Sequence, residues 1–128
     1  MNKREIGNKG EDAVCRYLEK KGYRIVKRNY FCPKGEIDII AENDDTTAFV
    51  EVKARKEDCV VTGAEAVDFR KKQRIFKTAA WYTYSEPLEK QPRFDIAEII
   101  LKNNMPYALR YYEGAFDMSG CDIMLSFK

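Results

Sequence analysis

Asp38, Glu51 and Lys53 are the side chains of this sequence whose types and spacing suit joint chemistry. Asp38 lies in the run Gly35-Glu36-Ile37-Asp38-Ile39-Ile40-Ala41-Glu42, and Glu51 and Lys53 lie in Thr47-Ala48-Phe49-Val50-Glu51-Val52-Lys53-Ala54-Arg55. The polar stretch Asn43-Asp44-Asp45-Thr46 between them reads as a turn, so the two runs form a hairpin. The register that pairs Ile39 with Val50, Ile40 with Phe49 and Ala41 with Ala48 also sets Asp38 opposite Glu51 and Glu36 opposite Lys53. Period-two alternation then places those four charged side chains on one sheet face. Like charges facing each other destabilise a ladder unless a cation lies between them. A divalent metal would be that cation, with the Lys53 ammonium beside it. The competing reading is a surface ion pair of Lys53 with Glu36 or Glu51, with Asp38 solvated near a strand end. A register slip of one residue would turn Asp38 away from Glu51.

The chain has no histidine. That excludes imidazole-based triads and histidine zinc sites, and leaves carboxylates, Lys, Tyr and Cys to do any catalysis. Carboxylate oxygens suit hard cations, which points to Mg or Mn over zinc. The four cysteines, Cys15, Cys32, Cys59 and Cys121, form no Cys-x-x-Cys pair and are expected to be reduced thiols of a cytoplasmic protein. The amino terminus shows no apolar leader and no run long enough to span a membrane, so no membrane association is expected.

Net charge is only +2, but it is unevenly spread. Lys20, Lys21, Arg24, Lys27 and Arg28 form one basic stretch and Arg70, Lys71, Lys72, Arg74 and Lys77 another, while residues 36–68 hold ten acids against three bases. Two basic margins around an acidic centre suit a polyanion held at its edges over metal ions, or are simply two solvated faces.

At 128 residues, with 45% hydrophobic and 34% charged side chains, the chain reads as one soluble domain over residues 1–128. Ile6, Ala13, Val14, Tyr17 and Leu18 recur at helical spacing up to Lys21, with Gly22 just past the end. Glu11 falls on the inward stripe of this helix, where a carboxylate needs a partner, or else at the stripe's rim reaching solvent. Tyr23 to Tyr30 reads as a strand with Tyr23 and Ile25 on one side and Val26 and Tyr30 on the other. The hairpin follows, with hydrophobes on both faces, as in a sheet covered on both sides. After a loop containing Gly63, a second helix is expected from Ala64 to Tyr84, with Val67, Ile75, Ala79 and Tyr82 on one stripe and Phe69, Gln73, Phe76 and Ala80 on the next. Arg93 to Leu101 and Ala108 to Glu113 complete the set as a strand and an edge strand. The order is α-β-β-β-α-β-β, a mixed β-sheet with helices on both faces in the α/β class. The tail 114–128 has apolar residues without a period, and either packs back on the sheet or meets a partner.

An acid on a first helix, an Asp in a hairpin, Glu-x-Lys on the next strand and a Gln on a basic helix make a constellation. With Gly10-Glu11, Gly35 to Ile40, Phe49 to Arg55, Lys72-Gln73-Arg74, Ala79 to Tyr82 and Arg93-Phe94-Asp95-Ile96, it resembles the restriction-endonuclease-like superfamily. It closely resembles the YraN family of predicted nucleases, which is related to archaeal Holliday junction resolvases; the likeness covers roughly residues 4–101. The resemblance implies a metal-dependent endonuclease acting on DNA, including branched or structured DNA. It implies Asp38 and Glu51 as metal ligands with the Val52 carbonyl as a third, and Glu11 binding the ion directly or through water. Lys53 would polarise the attacking water and Gln73 would position water or phosphate. Arg55, Arg70, Lys71, Lys72, Arg74 and Lys77 would contact phosphates. Arg93 and Asp95 read as a structural ion pair, and Tyr111 and Tyr112 as edge-strand packing. Resolvase relatives dimerise, though no self-complementary patch stands out in this sequence. The rival reading keeps the fold as a non-catalytic nucleic-acid-binding or adaptor domain.

Overall fold

The order and pairing of the strands follow from where the chain can turn tightly and where it must cross over. The structure, a computed structural model, describes residues 3–57 and 68–128. Helix α1 (Lys3–Lys20) is followed by strands β1 (Arg24–Cys32), β2 (Gly35–Glu42) and β3 (Thr46–Lys56), then helix α2 (Phe69–Ser85) and strands β4 (Gln91–Lys102) and β5 (Met105–Phe116). The sheet has the order β1-β2-β3-β4-β5. Its pairs are antiparallel except β3 with β4, which run parallel because α2 carries the chain back between them. This is the expected α-β-β-β-α-β-β order in a five-stranded mixed sheet. No helix among the described residues is long and apolar enough to cross a membrane.

Helix α1 stops where the sequence says it should. Gly22 takes a left-handed φ of 93°, and the Tyr23 amide returns to the Leu18 carbonyl at 3.0 Å. Val14 and Leu18 are thereby buried against Tyr23, Ile39, Ala41, Val50, Ala97 and Ile99 on one sheet face. On the other face Ile75, Phe76, Ala79 and Tyr82 of α2 pack on Ile37, Ile40, Phe49, Phe94, Ile96 and Phe116. The expected facing of β1 holds: Tyr23 and Ile25 lie with the α1 cluster and Val26 and Tyr30 with the α2 cluster. Strand alternation puts the consecutive Ile25 and Val26 on opposite layers, and the β1–β2 register shifts between Ile25 and Lys27.

Several expectations need correction. Helix α2 begins at Phe69, because Asp68 is extended and its carboxylate accepts from the Lys71 amide at 2.8 Å. Phe69 therefore points to solvent instead of sharing the buried side with Phe76. Gly63 and the expected first turn of this helix, Ala64 to Val67, lie outside the described residues, as does Cys59. Cys15, Cys32 and Cys121 are free thiols. Strand β5 runs from Met105 to Phe116, longer than expected at both ends, with Pro106 tolerated on an edge strand.

The tail packs back. Met118, Cys121, Ile123 and Leu125 lie against the α2-side core, and Leu88 exchanges backbone hydrogen bonds with Ser126 and Lys128.

Within the sheet, Asp95 is fully buried on β4. It accepts two bonds from the Arg93 guanidinium at 2.8 Å each, one from the Tyr111 hydroxyl at 2.6 Å and one from the Gly114 amide at 2.9 Å. Arg93 in turn donates to the Tyr23 hydroxyl at 2.8 Å, and Tyr111 stacks on Tyr17. This network ties α1, the α1–β1 connection, β4 and β5 together, as a structural ion pair should.

Candidate functional site

The hairpin register is as expected from Ile39–Val50 through Glu42–Thr47, and there it ends. Toward the open end of the hairpin, β2 stays with β1 as far as the Cys32–Gly35 pair, while β3 stays with β4 as far as the Lys56–Leu101 pair. The sheet forks between them. The expected ladder pairs Asp38–Glu51 and Glu36–Lys53 do not form, because each strand follows its other neighbour past the split. Ile37 packs on the α2 side and Ile39 on the α1 side, so strict alternation breaks at Asp38. Asn29, between the β1 residues that pair with Ile39 and Ile37, takes a left-handed φ of 52°.

Asp38 stands at the crotch of this fork. Its Oδ2 accepts from the Val52 amide at 2.7 Å, so the carboxylate replaces the strand partner that Val52 loses. Burial and then the Glu51 charge push the Asp38 carboxyl from 3.8 up to about 7, against the opposing pull of the Val52 amide. Glu11 and Glu36 add smaller repulsions. The two acids thus come together across the gap instead of along a ladder.

Glu51 is buried and has its own counterions. Its Oε1 lies 3.4 Å from Lys53 Nζ and 3.4 Å from Lys71 Nζ. Lys53 comes from two residues along β3, and Lys71 from the first turn of α2, where the Asp68 cap fixes the backbone. That turn carries Arg70, Lys71 and Lys72 and no acid. Cations at the positive pole of a helix repel it, so the arrangement favours an anion placed there.

Glu11 has the partner that an inward carboxylate requires: its Oε1 is 3.5 Å from Arg28 Nη2, and Arg28 also holds Asp12 at 2.8 Å. Gly10 faces Ile99 of β4, where a Cβ would sit at an ordinary van der Waals distance of 3.4 Å. Gln73 is not among the contacts of either acid; its Oε1 accepts from Cys121 Sγ at 3.9 Å, toward the tail. Lys71, expected to meet phosphate, is instead the α2 residue that reaches Glu51. Arg70, Arg74 and Lys77 are exposed, Lys72 lies 5.6 Å over the Phe116 ring, and Arg55 is half-buried.

Sequence reasoning passed over Glu98. It is only 1% exposed, beside Lys53 in the β3–β4 register, and neither carboxylate oxygen has a hydrogen bond. Its nearest cation is Arg110 Nη1 at 3.6 Å. The signal was present as one acid inside the apolar run Ile96-Ala97-Glu98-Ile99-Ile100.

Among the described residues no three Asp, Glu or Cys side chains close into a metal-holding cluster. Asp38 and Glu51 nonetheless fit a hard divalent ion as a pair, since a cation between them would offset the Glu51 charge that, after burial, raises the Asp38 carboxyl.

The sequence matches the family described as "Uncharacterised protein family UPF0102" over residues 10–99, which include Glu11, Asp38, Glu51, Lys53 and Gln73. A UPF0102 protein of Clostridium acetobutylicum is 45% identical over 120 residues, covering 92% of this chain and 98% of the relative. A UPF0102 protein of Dictyoglomus thermophilum is 46% identical over 105 residues, covering 81% of this chain and 89% of its own. On these matches the chain belongs to the UPF0102 family, the YraN-like family that its motifs resemble.

Proposed function

We propose that this chain is a divalent-metal-dependent endonuclease of restriction-endonuclease-like fold that hydrolyses DNA phosphodiester bonds, with branched or structured DNA as the substrate class its resemblance suggests. The observation that carries the reading is the fork. It gathers two carboxylates, one of them driven to about 7, with two ammonium groups at the second. A half-buried Asp38 that feels the charge of buried Glu51 is unfavourable as a carboxylate without a cation between the two, and active sites are where such arrangements concentrate.

Asp38 and Glu51 would hold Mg or Mn. The Val52 carbonyl is a fitting third donor, because an extended residue directs its amide and carbonyl toward the same neighbour and the Val52 amide faces Asp38. The ion would supply Lewis acidity and a water of lowered pKa. Lys53 and Lys71 bring positive charge to the point where a phosphodiester gains negative charge in the transition state. Arg70, Arg74 and Lys77 line up along α2 from that point and would grip the backbone without regard to sequence. Glu11, beside Arg28, acts on the site through its charge at Asp38.

The test is a panel of labelled linear, nicked, flapped and four-way DNA with Mg or Mn. Cleavage of at least one substrate, abolished by Asp38→Ala and Lys53→Ala in folded protein, is the expected result. Intact DNA across the panel with both metals refutes the reading.

One observation favours the rival, a non-catalytic DNA-binding or adaptor domain: Glu51 already has two lysine counterions, so half of the acid pair is compensated without any metal. That reading expects salt-sensitive binding that depends on Lys71, Lys72 and Arg74 and is indifferent to Asp38→Ala.

A further inference from the structure

The outer face of α2 carries a stripe that the nuclease reading uses only in part. Arg70, Arg74, Lys77, Trp81 and Tyr84 follow one another at steps of four, three, four and three residues, and all five are exposed. The cations occupy the end near Lys71 and Glu51, and the aromatics the far end. Trp81 is 48% exposed and Tyr84 85%, whereas the opposite face of the same helix is sealed by Ile75, Phe76, Ala79 and Tyr82. Large aromatic side chains left in solvent on a stable helix point to a ligand.

The aromatics also wall a groove of about 610 Å³ between α2 and the tail. Ile123 and Met124 form its far side, Met124 being 84% exposed, and Lys34 and Lys77 edge it. None of the described lining residues is an acid. Helix α2 itself has five cations and no acid. The ligand is therefore anionic and presents flat apolar faces at intervals.

We propose that this stripe and groove bind unpaired nucleotides, with bases stacked on Trp81 and Tyr84 and against Met124, and with phosphates on Lys34, Lys77 and Arg74. A sequence-tolerant single-strand site combines a basic track with exposed aromatic platforms in this way. Arg70 to Tyr84 spans about 21 Å at 1.5 Å per residue, enough for several nucleotides. A strand leaving the fork past Lys71 would run directly onto it. The inference rests on the nuclease reading for its substrate class and deepens it, naming DNA with an unpaired strand next to the cut site. Its test uses binding without metal, so the two stand or fall separately.

Trp81 is the only tryptophan in the chain, which makes its fluorescence a reporter of the groove alone. The full chain, free of divalent ions, is titrated at fixed salt with a single-stranded oligodeoxynucleotide, a blunt duplex of equal length, an abasic deoxyribose-phosphate oligomer and an oligoglutamate. Strong quenching by the single strand is expected, with little from the other three. Tyr84→Ala is expected to weaken single-strand binding about tenfold while leaving duplex binding unchanged. Circular dichroism verifies that the variant folds, and Tyr84→Phe should restore binding.

Equal quenching by the abasic oligomer, displacement of the strand by oligoglutamate, or full affinity in Tyr84→Ala overturns the proposal. So does a dimer in light scattering that buries Trp81 and excludes the oligonucleotide. Quenching in a protein that cuts no DNA leaves this site standing and removes the nuclease, while cleavage without quenching does the reverse.

Discussion

Replacing Asp38 by Asn should make the protein more stable above neutral pH, and the gain should vanish in acid. In the folded chain the Asp38 carboxyl is pushed from 3.8 to about 7, first by burial and then by Glu51. Folding therefore takes up a proton between those two values, and the linkage runs one way. Stability contributed by protonated Asp38 is complete below pH 3.8, falls as pH rises through the window and is lost above about 7. The width of the window, at about 1.4 kcal/mol per pH unit, sets the full penalty at roughly 4 kcal/mol, with screening at the mouth of the fork reducing it toward ~2 kcal/mol. The asparagine side chain does not titrate, and its amide oxygen can still accept from Val52. Urea unfolding of both proteins at pH 4.5, 6 and 8 should show Asp38→Asn near the parent at the lowest pH and ahead by about 2–4 kcal/mol at the highest. Magnesium at pH 8 should then stabilise the parent and not the variant, by about 2.7 kcal/mol at a hundredfold excess over its dissociation constant. A difference between the two proteins that stays constant across the pH range would refute the assignment of a raised pKa. A magnesium effect equal in both would refute the ion-holding role.

The remaining predictions concern other parts of the same frame. Asp68→Ala removes the cap that fixes Lys71 and should cost about 1 kcal/mol in chemical denaturation, with Asp68→Ser largely restoring it. Lys53→Ala and Lys71→Ala both withdraw charge from Glu51 Oε1, so a double-mutant cycle should show coupling of about 0.5–3 kcal/mol, whereas additivity would mean that the two ammoniums do not share that oxygen. Glu98→Gln relieves a buried carboxylate without hydrogen bonds and should raise the unfolding midpoint, unless Glu98 gains a partner when substrate binds, in which case binding falls in the same variant. Tyr111→Phe leaves Asp95 one donor short and should destabilise by about 1–3 kcal/mol, seen as an earlier thermal transition.

What the sequence made legible was the part governed by local pattern. The pairing of Ile39 with Val50 and of Ile40 with Phe49 followed from apolar neighbours and a polar turn, and the end of α1 followed from Gly22. Two-sided hydrophobicity of the hairpin correctly required a layer on each face. The fork was not legible, because alternation extends a ladder indefinitely and contains no term for a strand that prefers its other neighbour. Phe69 was misplaced on the buried side because periodicity counts an aromatic as core, while the Asp68 cap starts the helix at that residue with its ring outward. The exchange of Lys71 for Gln73 as the α2 residue at Glu51 depends on how the helix axis sits over the sheet. The tail lacked a period because it docks residue by residue through Met118, Cys121, Ile123 and Leu125 instead of as an amphipathic element.

The parallel contact of β3 with β4 has a consequence for the order in which the molecule assembles. The first three strands zip through short turns, but no hydrogen bond of the β3–β4 seam can form until the chain after Lys56 has crossed back with α2 aboard and brought Gln91 to Thr46. Asp38 and Glu51 are thus delivered early, by the meander, and the lysine that α2 brings to Glu51 arrives with the last step.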